Sequence, residues 1–276
     1  MRNFKTKEAN CTMSPYNRRT SLSISELTET FMKASFDRDG FVIVRQLLAA
    51  DEFAELRREL DRYARAVVPT LPDADAFFDD KSRPETLKQL QHMQHDPFFA
   101  KYVRHPKWLA LAETLVGERA ACETPEWFNK PPGSQHITPP HQDNYYFCLA
   151  PPNVVTIWMA LDEVDDENGC LRYVAGSHLQ PVRPHARSHV LGFSQGISDY
   201  GEADRAAEVR IHLQPGDVVA HHGNTIHRAD ANRSATRHRR AFAMVFKGVS
   251  CQRDEVAFAK YMAAVKEQYQ QMGLVV

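Results

Sequence analysis

A histidine and an aspartate two residues apart, His141 and Asp143, could bind a metal ion together. The aromatic residues that follow them predict a β-strand over 143–149. Residues two apart in a strand project from the same face, so an imidazole and a carboxylate would lie side by side. Both groups are common metal ligands, and this pair would need one more ligand from elsewhere in the chain.

The third ligand has several candidates, because histidines are frequent downstream. A polar segment at the end of another β-type run, residues 221–227, contains three of them. Two histidines and one carboxylate on one face, with the other positions open, are the arrangement of non-heme Fe(II) oxygenases. The candidates are His136, His178, His185, His189, His212, His221, His222, His227 and His238.

A basic segment, residues 237–240, leads into the apolar run 241–246. One arginine at the start of such a strand is expected to point inward, and its neighbour outward. An inward guanidinium is costly unless it meets an anion, and a dicarboxylate cosubstrate would suit its bidentate geometry. The alternative is a solvated basic turn. Beside a metal pair, we favour the anion anchor.

The composition indicates a globular protein without nucleic-acid or membrane partners. The chain has 276 residues, of which 43% are hydrophobic and 25% charged, and its net charge is -1. The protein therefore has no net positive charge that would favour binding to nucleic acid or to an anionic membrane surface. The longest near-continuous apolar run, Val154 to Leu161, is far too short to span a bilayer.

The cysteines and the N-terminus predict a cytoplasmic protein. The five cysteines are odd in number and show no CxxC spacing, which favours reduced thiols. The N-terminus has no apolar h-region, so we expect no secretory signal. Residues 1–20 are rich in Lys, Arg, Ser and Thr and are interpreted as a disordered tail, with a transit peptide as the alternative.

The elements before the β-rich region are mostly helical, over about 21–118 of a single domain that covers 21–276. A capping box at Ser23 opens a helix toward Ala34, and a turn at Asp39 precedes a strand over 41–44. Further helices are predicted over 53–67 and 106–116, and a loop over 69–86 as a lid.

From residue 119 to about 249, short β-type runs alternate with Gly, Pro, Asn and Asp, which is typical of a sandwich or barrel. Segments 165–169 and 214–217 are interpreted as hairpin turns, and 175–207 as a long polar insert. A helix is predicted from 254 to about 272. The β-type runs are 120–128, 143–149, 153–161, 170–174, 208–213, 217–221 and 240–247.

The sequence from Gly40 to Lys247 resembles the phytanoyl-CoA dioxygenase family of Fe(II)/2-oxoglutarate-dependent oxygenases. The order and spacing of several short motifs carry this resemblance. It implies a mainly β fold with flanking helices and a double-stranded β-helix core, a cupin-like jelly roll. The matching motifs are Asn129-Lys130-Pro131-Pro132, His141-Gln142-Asp143, Asn168-Gly169-Cys170-Leu171, Gly176-Ser177-His178, Gly216-Asp217, and His227 with Arg239-Arg240-Ala241.

The resemblance also implies roles for individual residues. His141, Asp143 and His227 would be the iron ligands, and Arg239 would hold the distal carboxylate of 2-oxoglutarate, with Arg240 as its outward neighbour. Three further residues are similar to positions around the cosubstrate: Gln142, Trp158 and Lys88.

The walls of the substrate pocket are a further expectation. Four aromatic residues would form apolar walls, or, as the alternative, belong to the core: Tyr145, Tyr146, Phe147 and Trp158. Asp199 and Tyr200 on the insert would contact substrate.

Two positions depart from the family pattern. Ala229 stands where the family often has a serine that helps to bind 2-oxoglutarate, and the interval from His227 to Arg239 is one residue longer than is common. Both departures concern the details of the cosubstrate pocket.

The expected function is hydroxylation of a C–H bond in a small organic substrate, an acyl-CoA or a related carboxylic acid being one option. Fe(II), 2-oxoglutarate and O2 would take part. The presence of Asp143 argues for hydroxylation, because halogenase relatives have a small residue there. Two alternatives remain, a cupin-like metalloenzyme that does not use 2-oxoglutarate and a non-catalytic family member. A zinc hydrolase is disfavoured, since no HExxH-like arrangement supplies a general base.

Overall fold

Two antiparallel sheets face each other in the computed structural model, which describes residues 24–190 and 193–271. The larger sheet has the strand order β1-β12-β7-β14-β4-β3-β2, and the smaller has β11-β8-β13-β5. Two separate strand pairs, β9 with β10 and β6 with β15, complete the β structure of this part of the chain. The strands are β1 Phe41–Val44, β2 Ala76–Phe78, β3 Leu87–Leu90, β4 Ala120–Lys130, β5 Thr138–His141, β6 Leu149–Ala150, β7 Val154–Ala160, β8 Leu171–Val174, β9 His185–Val190, β10 Phe193–Ile197, β11 Glu208–Ile211, β12 Val218–His222, β13 His227–Ala229, β14 Arg239–Gly248 and β15 Gln252–Arg253.

The helices of the N-terminal part cover the outer face of the larger sheet. None of the described helices is long and apolar enough to cross a bilayer. The helices are α1 Ile24–Asp39, α2 Ala50–Ala66, α3 Pro97–Tyr102, α4 Pro106–Val116, α5 Asp143–Phe147, α6 Glu202–Ala206 and α7 Glu255–Gln271.

The alternation of side chains along β14 separates two apolar cores. Phe242 and Met244 face the helices, where they pack in one core with Trp108 of α4. Ala241 and Ala243 belong to the second core, which lies between the two sheets. Because successive residues of a strand point to opposite faces, one strand serves both cores. The small alanines leave room on the inner face, where the site lies.

The fold class and several elements agree with the sequence predictions. The mainly β architecture with flanking helices and a jelly-roll core is confirmed. Strand β1 and helix α4 have the predicted bounds, and Gly117 ends α4 in a left-handed conformation with φ of 76°. Helices α2 and α7 also lie where apolar periodicity placed them.

The predicted strand over 143–149 is wrong. Residues Asp143–Phe147 form the short helix α5, and only Leu149–Ala150 are extended. Local hydrogen bonds explain the difference: the amide of Tyr145 donates to Gln142, and Cys148, in a left-handed conformation, donates to Asn144. The aromatic run has a high β propensity, but tertiary contacts override propensity in a segment this short.

Other segments are more ordered than predicted. The loop predicted over 69–86 contains strand β2, which pairs with β3, and the insert over 175–207 contains the β9–β10 pair and helix α6. Strands β5 and β13 were not predicted, because they are short and carry polar residues.

The two predicted hairpin turns are turns that connect different sheets. The first leads from β7 in the larger sheet to β8 in the smaller sheet, and the second leads from β11 back to β12. Such crossings are how a jelly roll closes its two sheets on one core. The predicted tail over 1–20 and the capping box at Ser23 lie outside the described residues.

Candidate metal centre and cosubstrate pocket

Three predicted metal ligands meet between the sheets. His141 ends β5 and His227 begins β13, and the two residues are direct partners in the strand register. Asp143 begins α5, after an extended Gln142 that keeps it on the same side as His141. One ligand atom from each of His141, Asp143 and His227 lies within 4.8 Å of the others, and all three residues are buried.

The two histidine rings are oriented by carbonyl groups. Nδ1 of His141 lies 2.8 Å from the carbonyl oxygen of Pro139, and Nδ1 of His227 lies 3.0 Å from that of Thr225. A carbonyl can only accept, so Nδ1 carries the proton in each ring and Nε2 keeps its lone pair. These Nε2 atoms lie 3.4 and 3.6 Å from Oδ1 of Asp143. The donor set therefore converges on one point as neutral imidazoles and a carboxylate, which suits a divalent metal ion.

The other carboxylate oxygen of Asp143 is held by protein groups. Thr156 donates to Oδ2 at 2.7 Å, and Nε2 of His221 lies 3.0 Å from the same atom. The hydroxyl of Tyr173 in turn lies 2.9 Å from Nδ1 of His221. Oδ1 remains directed at the two other ligands. Sequence reasoning treated His221 only as one of nine candidate ligands, and no sequence signal distinguishes the supporting role seen here.

The electrostatics of the centre favour the ligating protonation states. Burial would raise the pKa of Asp143, but the neighbouring histidines, His227 first, hold it well below its usual value. Burial, together with the proximity of His141 and His221, lowers the pKa of His227 well below its usual value. A carboxylate and a neutral imidazole are the forms that bind metal, so the centre is prepared for an ion at neutral pH.

Arg239 is the inward arginine of the basic segment. Its buried guanidinium lies over the ring of Trp158, 5.3 Å from the ring centre, and its Nε has no hydrogen-bond partner. No carboxylate among the described residues pairs with it, and burial lowers the pKa of Arg239 to about 10. Arg240 points outward to Asp162, with Nη2 2.7 Å from Oδ1. An orphaned, buried cation of this kind fits the distal carboxylate of a dicarboxylate such as 2-oxoglutarate.

The metal ligands and Arg239 line one cavity of about 280 Å³. Trp158 and Lys88 also line it, as expected, and Nζ of Lys88 lies 2.8 Å from Oδ1 of Asp79. Tyr261 of α7 contributes to the wall from the C-terminal helix, which the sequence did not predict.

Gln142 does not line this cavity. Its side chain is fully buried, and its Nε2 donates to the carbonyl of Asn224 at 2.7 Å, while its Oε1 accepts from the amide of Arg183 at 2.8 Å. Gln142 thus ties the segment between His141 and Asp143 to two other chain segments. This differs from the expected position in the cosubstrate pocket.

Only some of the residues expected to contact substrate line the cavity. Tyr146 and Phe147 line the cavity, whereas Tyr145 stacks on His185 with ring centres 4.0 Å apart. Asp199 and Tyr200 lie away from it, since Asp199 pairs with Arg183 and the hydroxyl of Tyr200 donates to Glu208. The insert residues therefore support the fold around the site and do not reach the cavity.

A second group of metal-type ligands lies outside the cavity. Asp166, Cys170 and His212 have ligand atoms within 4.8 Å of one another. Asp166 is already paired with Arg210 at 3.3 Å and Arg172 at 3.6 Å, so its charge is compensated by protein. This group is an ion-pair cluster at the edge of β8 and β11.

Comparison with known proteins decides the family. The sequence profile of the phytanoyl-CoA dioxygenase (PhyH) family matches residues 36–241, most of the chain. The chain belongs to the PhyH family. This confirms the family predicted from the motifs, and with it an enzyme that depends on iron and 2-oxoglutarate.

Relatives within the PhyH family are distant but extensive. The peroxisomal phytanoyl-CoA dioxygenase of Bos taurus is 27% identical over 234 residues, covering 78% of this chain and 67% of that protein. The human peroxisomal enzyme is 26% identical over 230 residues, with the same coverage of 78% and 67%.

Solved structures of similar fold contain the expected groups. EvdO2 from Micromonospora carbonacea var. aurantiaca, complexed with 2-oxoglutarate, has a TM-score of 0.64 and 26% identity over 81% of this chain and 91% of its own. The epimerase SnoN, in complex with Fe3+, alpha ketoglutarate and nogalamycin RO, has a TM-score of 0.66 and 24% identity over 82% and 85% of the two chains. At 24% identity, the similarity to SnoN shows a shared fold only.

Proposed function

We propose that this protein is an Fe(II)/2-oxoglutarate-dependent dioxygenase that hydroxylates a C–H bond of a small organic substrate. One observation carries the proposal: a buried centre of His141, Asp143 and His227 shares a cavity with Arg239, a buried cation that has no anionic partner. A metal centre and an unpaired guanidinium in one cavity are what a chelating dicarboxylate requires. The net charge of -1 supports small molecules, including O2, rather than nucleic acid as partners.

His141, Asp143 and His227 would hold the iron, and Arg239 would hold the distal carboxylate of 2-oxoglutarate. When bound, these groups supply the oxidation: 2-oxoglutarate and O2 yield succinate and CO2, and one oxygen atom is transferred to a substrate carbon. Lys88 is proposed to support the cosubstrate end of the cavity, where Asp79 orients its ammonium group.

The protein's own contribution is positioning and exclusion of water. Thr156 and His221 fix one oxygen of Asp143, so the ligand does not rotate during turnover. Trp158 packs beneath the Arg239 guanidinium and limits its movement. Tyr146 and Phe147 form part of the cavity wall, and the Tyr146 ring lies 5.7 Å from that of His141. Rigid walls keep the substrate carbon near the centre and keep bulk water away.

Acyl-CoA thioesters and related carboxylic acids are the substrate class that the names of the relatives suggest, since several are called phytanoyl-CoA dioxygenase. This class should be screened first by succinate release. The mammalian relatives are named peroxisomal, so the peroxisome is the compartment to compare with the cytoplasm. We propose a cytoplasmic location, supported by the thiols of Cys148, Cys170 and Cys251, which form no disulfide among the described residues.

The test is anaerobic addition of Fe(II) and then 2-oxoglutarate, monitored by the weak visible metal-to-ligand charge-transfer band. We expect the band in the wild type and its loss in Asp143→Ala. Arg239→Ala should need at least tenfold more 2-oxoglutarate, and Lys88→Met several-fold more. Arg240→Ala is the matched control, because its guanidinium points to Asp162 outside the cavity.

Each alternative function has a distinct outcome in this experiment. Iron binding without a band in the wild type would support a cupin-like metalloenzyme that does not use 2-oxoglutarate. Absence of both iron and 2-oxoglutarate binding would support a non-catalytic family member. A band that is insensitive to Arg239→Ala would contradict the assignment of the anchor.

A further inference from the structure

One carboxyl group in the cavity wall has no assigned role. Glu126 lies near the middle of β4 and lines the same cavity as His141 and Asp143. Among the hydrogen bonds and ion pairs of the described residues, none involves its carboxyl group, and hydrogen bonds do not contribute to its pKa shift. Sequence reasoning missed this residue, although a glutamate within an apolar β-type run is a visible signal.

The strand register places Glu126 on the inner face near the metal ligands. It is the cross-strand partner of Ala243, which is itself the partner of Trp158. The next inward pair is Val245 with Thr156, the residue that donates to Asp143. Glu126 therefore lies about 10 Å across the sheet from Trp158, at two strand spacings. Between them, Ala243 occupies little space.

The position of Glu126 is unfavourable for a charge in the absence of a ligand. Burial raises the pKa of Glu126 to about 7, and the charge of Asp143 adds to the shift. Neighbouring acids are compensated, since Asp79 pairs with Lys88 and Asp143 accepts from Thr156 and His221. Glu126 itself is half-buried at the cavity wall, and an acid in such a position with no protein partner is a candidate for contact with a ligand.

We propose that Glu126 binds a cationic amine group of the substrate and so directs an adjacent C–H bond toward the metal centre. This inference rests on the proposed function and narrows its substrate class from any small organic molecule to one that carries a protonated amine. In this role Glu126 determines specificity, because it contacts the substrate and does not contact the metal.

The charges around the cavity favour a cation over other groups. The distal carboxylate of 2-oxoglutarate would compensate Arg239, and Asp79 already compensates Lys88. A third basic residue on the wall, Lys130, donates to the carbonyl of His136, and burial lowers its pKa well below the usual value, which favours its neutral form. Besides the metal ligand Asp143, Glu126 is then the acid on the cavity wall for which the described residues supply no counter-charge. A hydroxyl group would supply a hydrogen bond but no charge, and an aliphatic acyl chain would supply neither, leaving the carboxyl unsatisfied.

The experiment uses two probes of equal length, hexan-1-amine and hexan-1-ol, at pH 7.5. Each is titrated by calorimetry into the anaerobic complex of the protein with Fe(II) and 2-oxoglutarate. We expect the wild type to bind the amine at least tenfold more tightly than the alcohol. Glu126→Gln should abolish this preference, because it keeps the shape and removes the charge. Glu85→Gln, at an exposed carboxylate, should leave the preference unchanged.

Equal binding of both probes by the wild type, or an unchanged preference in Glu126→Gln, would overturn the inference. Tighter binding of the alcohol with loss in Glu126→Gln would assign a neutral donor and also overturn it. The charge-transfer band separates this result from the proposed function: a missing band in the wild type rejects the oxygenase itself, whereas a band in both proteins without amine preference rejects only the role of Glu126.

A stability measurement distinguishes recognition from a structural role. Since the carboxyl group has no partner, Glu126→Gln and Glu126→Met should melt at the same temperature as the wild type or a few degrees higher without ligands. If both variants melt more than about 5 °C lower, which corresponds to roughly 1–2 kcal/mol in a chain of this size, Glu126 is structural and the inference fails.

Discussion

Nε2 of His221 lies 3.0 Å from Oδ2 of Asp143, the oxygen that also accepts a hydrogen bond from Thr156. A carboxylate with one oxygen occupied twice by protein donors has only the other oxygen available for a metal ion. The carboxylate can only accept, so Nε2 of His221 carries the proton, and the Tyr173 hydroxyl, 2.9 Å from Nδ1, donates to the other ring nitrogen. Thr156 and His221 of the larger sheet thus determine which carboxylate oxygen of Asp143 faces the metal site.

Replacing His221 should weaken metal binding. We expect His221→Phe to lower the affinity for Fe(II) or Co(II) by 10–100-fold, the usual effect of losing an outer-shell partner. Tyr173→Phe, which keeps the ring and removes the hydroxyl, should lower it by less. Anaerobic calorimetry measures both affinities, and a wild-type affinity in His221→Phe would contradict the role of this histidine.

The effect of Arg239 on stability should depend on the cosubstrate. The residue should lower the free energy of unfolding when 2-oxoglutarate is absent and raise it when 2-oxoglutarate is bound. Because its buried guanidinium has no anionic partner, Arg239→Met should raise the free energy of unfolding by about 1–3 kcal/mol in the absence of 2-oxoglutarate. The wild type should gain about 2.7 kcal/mol at 100 times the Kd of 2-oxoglutarate, and the variant should gain almost nothing.

Urea unfolding of the metal-loaded protein, with and without 2-oxoglutarate, measures both effects. Arg240→Met is the matched control, because it removes a partly exposed ion pair with Asp162 and should cost no more than about 1 kcal/mol. A stabilisation by 2-oxoglutarate that persists in Arg239→Met would place the anchor elsewhere.

Gln142 should matter for stability more than for cosubstrate affinity. Gln142→Leu removes both hydrogen bonds of the buried amide and leaves the Asn224 carbonyl and the Arg183 amide without these partners. We expect a loss of about 2–4 kcal/mol in the free energy of unfolding. The Kd of 2-oxoglutarate, measured at a temperature where the variant is folded, should change less than threefold. A large change in Kd with intact stability would favour the pocket role that the resemblance implies.

The stability of the protein should rise between about pH 4 and 6.5. Burial lowers the pKa of His222 to about 4, with smaller effects from His178 and His221, and its Nδ1 accepts a hydrogen bond from the amide of Asn224. In this window the unfolded chain binds a proton that the folded chain does not bind, so each such group adds a slope of up to about 1.4 kcal/mol per pH unit.

His222→Asn should reduce that slope, because an asparagine can accept the same hydrogen bond without titrating. Urea midpoints between pH 4.5 and 7.5 give the two profiles. Part of the slope should remain, since burial also lowers the pKa of His185 to about 4. Identical slopes in the two proteins would show that His222 does not titrate in this way.

Local patterns in the sequence were sufficient for several elements and for naming the side chains that could form the centre. The apolar periodicity of α2 and the glycine that ends α4 are local properties, and both elements lie where predicted. The alternation of a strand also explains why Arg239 turns inward while Arg240 meets Asp162. Residue type alone limits which side chains can bind a metal ion.

The tertiary structure decided what depends on contacts between distant segments. The aromatic run after Asp143 became α5 rather than a strand, because contacts with distant segments, such as the hydrogen bond from the amide of Asn144 to the carbonyl of Gly223, override its β propensity. Residue type left nine histidines open as the third ligand and only the family resemblance implied His227, whereas its register with His141 across β5 and β13 shows physically why it reaches the centre.

Contacts between distant segments also explain why the roles of His221 and Gln142 differ from the predicted ones. His221 supports Asp143, and Gln142 joins chain segments, because the fold brings together partners that are 78 and 82 residues apart in the sequence. Glu126 became informative only because it lines the cavity and finds no partner for its carboxyl group among the described residues. The sequence by itself determined which groups were available, whereas burial and cross-strand register, which are properties of the folded chain, determined which of them meet.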